Sequence, residues 1–131
     1  MLEDVLREMV EPDVSLPWVE YARSWAEAYW AIAVQHRRLI ASTLADPVIA
    51  RGASAATERL ITAIAGSGMD ADRAVANAYL VIDFVHGSAL GSSERNRDEL
   101  HTWFQAGLDT ICSGMRRPRS AGDRVPDRAT P

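Results

Sequence analysis

Residues 17–36 read PWVEYARSWAEAYWAIAVQH. Three of the four tryptophans (Trp18, Trp25, Trp30) and two of the three tyrosines (Tyr21, Tyr29) fall within these twenty positions. Trp18, Tyr21, Trp25, Tyr29 (or Ala28), Ile32 and His36 are separated by steps of three and four, so on a helix they share one face. Glu20, Arg23, Ser24, Glu27, Gln35 and Arg38 gather on the other, which is expected to face solvent. Trp30 lies off the main stripe and reads as a packing residue. The pattern predicts an amphipathic helix with an aromatic inner side. Those rings either pack against protein alone or wall a cavity that admits a small molecule.

The same reading extends in both directions. Toward the N-terminus, MLEDVLREMV (1–10) places Leu2, Val5, Leu6, Met9 and Val10 on one stripe of a short helix, which Glu11-Pro12-Asp13 breaks. Ser15 or Leu16 is expected to start the aromatic helix, with Pro17 in its first turn. Toward the C-terminus the period continues through Leu39, Ile40 and Thr43, as one long helix or as two with a bend near 35–37. Asp46-Pro47 ends it. Residues 48–65 are predicted helical, with Ala53, Ala56, Leu60, Ile61 and Ile64 inward and Glu58 and Thr62 outward. Gly66-Ser67-Gly68 stops that helix.

Asp70 is a suitable N-cap for a helix over 71–90. Val75, Ala78, Ile82, Val85 and Ala89 form one apolar line and Ala74, Val81 and Ser88 another, so this helix is expected to be buried on more than one side. GSSERNR (91–97) is a polar loop. Residues 97–115 predict a last helix with Leu100, Trp103, Phe104, Gly107, Leu108, Ile111, Cys112 and Met115 on one broad face. There is no strand-like alternation and no internal repeat. The fold class is all-α, a bundle of five to six helices over residues 1–115. The segment RRPRSAGDRVPDRATP (116–131) is nearly devoid of apolar residues and is expected to be disordered.

Charge narrows the function classes. All fourteen basic residues are arginine, and five of them lie in 116–131. Residues 1–115 carry nine arginines against sixteen acids, a net of −7. A body with that charge repels a phosphate backbone, and no basic recognition helix is present. No signal segment or membrane-length apolar run occurs, and Cys112 is the single cysteine, so a reducing cytoplasm is the expected setting. Catalysis has little support. Ser92-Ser93-Glu94 lacks the strand–turn–helix setting of an activated serine, and there is no phosphate loop or paired-carboxylate signature.

Four features in order resemble a known family: the Trp18-led helix running into His36-Arg37-Arg38-Leu39; the glycine stop at 66–68 with Asp70 opening a long apolar helix; Phe84-Val85-His86-Gly87 near that helix's end; and Phe104-x-x-Gly107-Leu108-x-x-Ile111-x-x-Gly114. Together they resemble the C-terminal effector-binding and dimerisation domain of tetracycline-repressor-like (TetR/AcrR) transcriptional regulators. The family's helix-turn-helix unit, which precedes this domain, has no counterpart in the chain. MLEDVLREMV looks like the connecting helix that follows that unit, and no DNA-contacting residue can be carried over.

The resemblance implies that the central helices enclose an effector cavity, with Trp18, Tyr21, Trp25, Tyr29 and His36 as candidate wall residues. Tyr79, Asp83 and His86, at spacings of four and three, line one stripe of an otherwise apolar helix. They read either as satisfied polar groups or as the cavity's polar anchors. In the second case Asp83 favours a cationic or hydrogen-bond-donating ligand. The expected effector is therefore an apolar, aromatic or cationic small molecule, with no cofactor. A metal site from Asp83 and His86 with His36 or His101 is the weaker alternative.

The resemblance further implies a homodimer through the last two helices. Val81, Phe84, Ser88, Leu100, Trp103, Phe104, Gly107, Leu108 and Ile111 would be divided between that contact and the subunit core. The competing class is a helical interaction module that dimerises or heterodimerises without a ligand.

Overall fold

The computed structural model describes residues 2–46, 54–91 and 96–116. Six helices are present among them: α1 (Leu2–Leu6), α2 (Trp18–Gln35), α3 (Arg37–Ala45), α4 (Ser54–Ala65), α5 (Ala71–Leu90) and α6 (Arg97–Arg116). The described residues contain no strand, and the chain is all-α. Parts of the expected 48–65 helix and of the 91–97 loop, and nearly all of the 116–131 tail, lie outside the described residues.

The bundle is organised around two helices. α2 and α5 pack on each other, and both α4 and α6 pack against that pair. α4 and α6 pack on that pair rather than on each other. α5 is buried along two lines, as its composition predicts: Ala74, Ala78, Val81, Ile82, Val85 and Ala89 are all inside. Val75 departs from the expected line and is exposed. Leu60, Ile64, Val81, Val85, Phe104 and Leu108 are among the largest fully buried side chains. Each stabilises the fold by about 1.5–3 kcal/mol relative to an exposed position.

Local chemistry sets the boundaries. α1 is shorter than its pattern, ending at Leu6, and Val10 is 79% exposed rather than part of the stripe, while Met9 is buried. The Asp13 carboxylate accepts from both the backbone N–H and the hydroxyl of Ser15, at 2.9 and 2.8 Å. That turn aims the chain into α2. Pro17 does not lie in the first turn. It is the extended N-cap, at φ −52° and ψ 148°, and Trp18 is the first helical residue.

Of the two sequence alternatives for 17–45, the structure has two helices. His36, at φ −120° and ψ 42°, separates α2 from α3. No glycine or proline forces this break. The turn brings Ile40 and Thr43 into the core, and α3 packs on α5. Buried Thr43 is satisfied by donating to the Leu39 carbonyl at 2.8 Å. Arg37 Nε donates to the Ala89 carbonyl at 2.9 Å, capping one of the open acceptors at the end of α5. Asp46 adopts the extended conformation that a following proline demands.

α4 ends in a turn where Gly68 takes φ +91°, a conformation open to glycine at little cost. The Asp70 carboxylate then accepts from the Arg73 N–H at 2.8 Å, and Asn96 caps α6 in the same way through the Glu99 N–H, also at 2.8 Å.

The polar face of α2 corrects an expectation. Arg23 pairs with Asp109, Glu20 with Arg116 at 2.9 Å, and Glu27 with His101 at 2.8 Å and Gln105 at 3.1 Å. This side of α2 is the seam against α6, not a free surface. The periodicity marked it as polar, but it could not show that a second amphipathic helix would lie across it.

Candidate functional site

The aromatic face of α2 divides into two parts with different surroundings. Its middle is core. Trp25 and Tyr29 pack edge-to-face with ring centroids 5.2 Å apart. The Trp25 indole N–H donates to the Ala56 carbonyl of α4 at 3.1 Å. Tyr29 meets His86 of α5 edge-on, and its hydroxyl lies 2.6 Å from His86 Nε2. These two rings tie α2 to α4 and α5. Their polar edges are spent on protein partners.

Burial raises the Tyr29 hydroxyl to about 12. Burial also lowers His86, against the opposing charge of Asp83. A protonated phenol can donate to Nε2 when the neutral imidazole carries its proton on Nδ1, and accepts from it in the other tautomer.

The N-terminal part of the face is open. Trp18 and Tyr21 line a groove of about 670 Å³ with Val14 and Leu16 from the α1–α2 loop. The opposite wall is one face of α4 (Ala55, Glu58, Arg59, Thr62 and Ala63) and Gly66 just beyond its end. Arg59 Nε of α4 pairs with the Glu11 carboxylate of the loop, so an ion pair bridges the two walls. The floor is the buried Tyr21, whose hydroxyl is raised first by burial and next by the negative charge of Glu11, with Arg59 opposing. A volume of this size falls within the range of small-molecule sites.

The eight candidate wall and anchor residues therefore do not form one cavity. Trp18 and Tyr21 meet in the groove. Trp25, Tyr29 and His86 form a packed cluster behind it. His36 sits at the α2–α3 break, with Nε2 buried, lacking a hydrogen-bond partner and 3.8 Å from the Glu8 carboxylate. Tyr79 is 50% exposed and Asp83 is also exposed. The expected Tyr79–Asp83–His86 stripe is thus split by the bundle. Spacings of four and three span an arc of the helix, and only the His86 end of it turns toward α2. As an exposed carboxylate, Asp83 has no burial cost to offset. The groove-lining Val14, Leu16, Glu58, Arg59 and Thr62, and Glu11, which pairs with Arg59, were not among the candidates. Glu58 and Thr62 do point away from the core, as their period predicts, and it is the loop from Asp13 to Leu16 that turns this outer face into a wall.

A second surface lies on α5 and α6. Of the nine candidate contact residues, Val81, Leu100, Phe104 and Leu108 are buried within the subunit. The Phe104 ring stacks between Trp30 and Phe84, at 5.3 and 5.5 Å, and the Trp30 indole N–H donates to the Ser88 hydroxyl at 3.3 Å. These four side chains close the core between α2, α5 and α6. Phe84, Ser88, Gly107 and Ile111 are half-buried. Trp103 is 55% exposed, and so is Leu80 at 48%, which had not been singled out. Gly107 lets the Phe84 ring lie across α6, because a Cβ there would come within 2.5 Å of that ring. Gly87 and Gly114 have no such neighbour.

Among the described residues no three His, Cys, Asp or Glu side chains are grouped to hold a metal ion, and no helix is long and apolar enough to cross a membrane. A family model described as "Tetracyclin repressor-like, C-terminal domain" matches residues 11–110. No curated protein and no solved structure matches the chain.

Proposed function

The chain belongs to the tetracyclin repressor-like C-terminal domain family, and on that premise we propose that it senses a small molecule and self-associates as part of a transcriptional regulator. Residues 1–115 are the working domain in this reading. The observation that carries it is the groove between the start of α2 and α4. It offers an aromatic platform in Trp18 and Tyr21, and one of its walls is the loop leading directly back to α1. A ligand that binds one placement of that loop better than another shifts the loop's population, and α1 with it. Glu8 and Met9, between α1 and that loop, rest on the body, Met9 buried and the Glu8 carboxylate 3.8 Å from His36.

Titration of tryptophan emission with a panel of apolar and cationic compounds tests this. Saturable quenching that is lost in Trp18→Ala supports the groove. A flat response across the panel overturns it.

The self-association surface in this proposal is the outer face of α5 and α6. Leu80 and Trp103 are large apolar side chains left open, and open Gly87 and Gly114 permit close approach of a second helix pair. The expected state at micromolar concentration is a homodimer that Trp103→Glu converts to a folded monomer. A monomer in the unmodified protein would contradict it. A competing reading, an interaction module without ligand, is favoured by the packing of Trp25 and Tyr29 against protein, and the same compound panel separates the two.

A further inference from the structure

Resting on the reading of the groove as the ligand site, we propose that it takes an apolar monocation, with Glu58 as counter-ion and Trp18 and Tyr21 as the faces against which the cation rests. Two charged side chains line the groove, Glu58 and Arg59. Arg59 is already answered by Glu11 across the mouth. Glu58 has no ion-pair or hydrogen-bond partner among the described residues. Two carboxylates against one guanidinium leave the site with one negative charge in excess.

At the floor the Tyr21 hydroxyl is raised first by burial and next by Glu11, with Arg59 opposing. Aromatic faces add to this, because their quadrupole attracts a cation and is indifferent to a neutral head group. The remaining lining, Leu16, Ala55 and Ala63, suits a hydrocarbon or flat ring body. An anionic ligand would meet Glu58, and Arg59 already has its Nε paired with Glu11. A divalent metal ion, which needs several oxygen ligands, would find one unengaged carboxylate.

Three probes with one tail and different heads separate charge from hydrophobicity: decyltrimethylammonium, decanol and decanoate, titrated calorimetrically into the full chain. The ammonium is expected to bind about fivefold tighter than decanol, the scale of a partly exposed charge contact plus a cation–π contact, with decanoate weakest. Glu58→Gln should bring the ammonium to the level of decanol without changing decanol. Glu11→Gln, which leaves Arg59 unanswered, should move the preference toward decanoate. Equal affinities in the unmodified chain, or an ammonium preference that survives Glu58→Gln, would overturn the inference. If decanol binds in a Trp18-dependent way without any charge preference, the groove stands as a ligand site and only its cation selectivity falls. If no probe binds, or binding is indifferent to Trp18→Ala, the groove reading falls with it.

Discussion

The Tyr29 hydroxyl lies in hydrogen-bond contact with His86 Nε2 at 2.6 Å, joining the middle of α2 to the second half of α5 inside the bundle. This contact converts a run of rings into a fixed orientation of two helices. Burial of the two groups also makes stability depend on pH at both ends of the scale.

At the alkaline end the sign follows from Tyr29. Its folded value is about 12 against an ordinary 10, so the unfolded chain loses its proton first. The stabilisation is complete below pH 10 and is lost as pH rises toward 12. Two units correspond to roughly 2–3 kcal/mol. Urea unfolding should show a midpoint that falls across this window, and Tyr29→Phe should remove most of that slope.

At the acid end the relevant group is His86, whose folded value is depressed by burial. Its contribution is present above the ordinary histidine value of 6.5 and is lost as pH falls below it, because the unfolded chain takes up the proton first. The urea midpoint of the unmodified protein should fall below pH 6.5 and should do so less steeply in His86→Gln. Equal slopes would mean that His86 is not the responsible group.

Glycine substitutions separate packing from helix propensity. In an exposed helix Gly→Ala stabilises by up to about 1 kcal/mol. Gly87→Ala and Gly114→Ala should do this to the subunit, since nothing lies within 4 Å of the new methyl. Gly107→Ala should cost about 1–2 kcal/mol instead, because the methyl runs into Phe84, whose ring is held by its stack on Phe104. If Gly87 and Gly114 face a second subunit, their alanine variants should weaken the dimer while stabilising the monomer. Sedimentation and urea unfolding measured together read both effects.

The seam between α2 and α6 contains both ion pairs and a buried ring, and their expected weights differ. The Glu20–Arg116 pair and the Glu27–His101 hydrogen bond are partly solvated, so removing either should cost less than about 1 kcal/mol, and the arginine pair less again in high salt. Trp30 is nearly fully buried between α2, α5 and α6, and Trp30→Ala should cost about 3–5 kcal/mol. The order of these costs in urea is the check.

Cap removal provides a smaller scale. Asp70→Ala and Asn96→Ala each leave a helix N–H without its side-chain acceptor and should cost about 1 kcal/mol in thermal or urea unfolding.

Helix placement was legible because its signals are local. Asp70 and the Gly66–Gly68 stop act within a few residues, and the inner line Ala56, Leu60, Ile64 follows from period alone. The division of the aromatic face was not legible. Trp18 and Tyr21 are related to Trp25 and Tyr29 by the same steps of three and four, yet one pair faces a groove and the other a packed interior. What separates them is the neighbouring chain: Ala56 and His86 cover the middle of the helix, while the loop from Asp13 to Leu16 stands off its beginning.

Trp30 was read as a packing residue, and it is one. Its part in closing the α2–α5–α6 core depends on Ser88, His101 and Phe104, which are 58 or more positions away in the chain. Asp83 shows the limit from the other side, since one turn of helix decides whether a carboxylate is buried, and spacing cannot say which arc a neighbour will cover.

Hydrophobic period and caps are properties of short segments, so the helical class, the order of the helices and most of their inner faces follow from the residues in line. The packing of distant elements sets the rest: the Trp25–Tyr29 end of the aromatic stripe is covered by α4 and α5, and the Trp18–Tyr21 end borders a groove. It also decided that the polar face of α2 is a seam and that Glu11 and Arg59 meet across a groove. Those outcomes depend on which distant side chain occupies the space beside a residue, and the chain's local pattern carries no record of that distance.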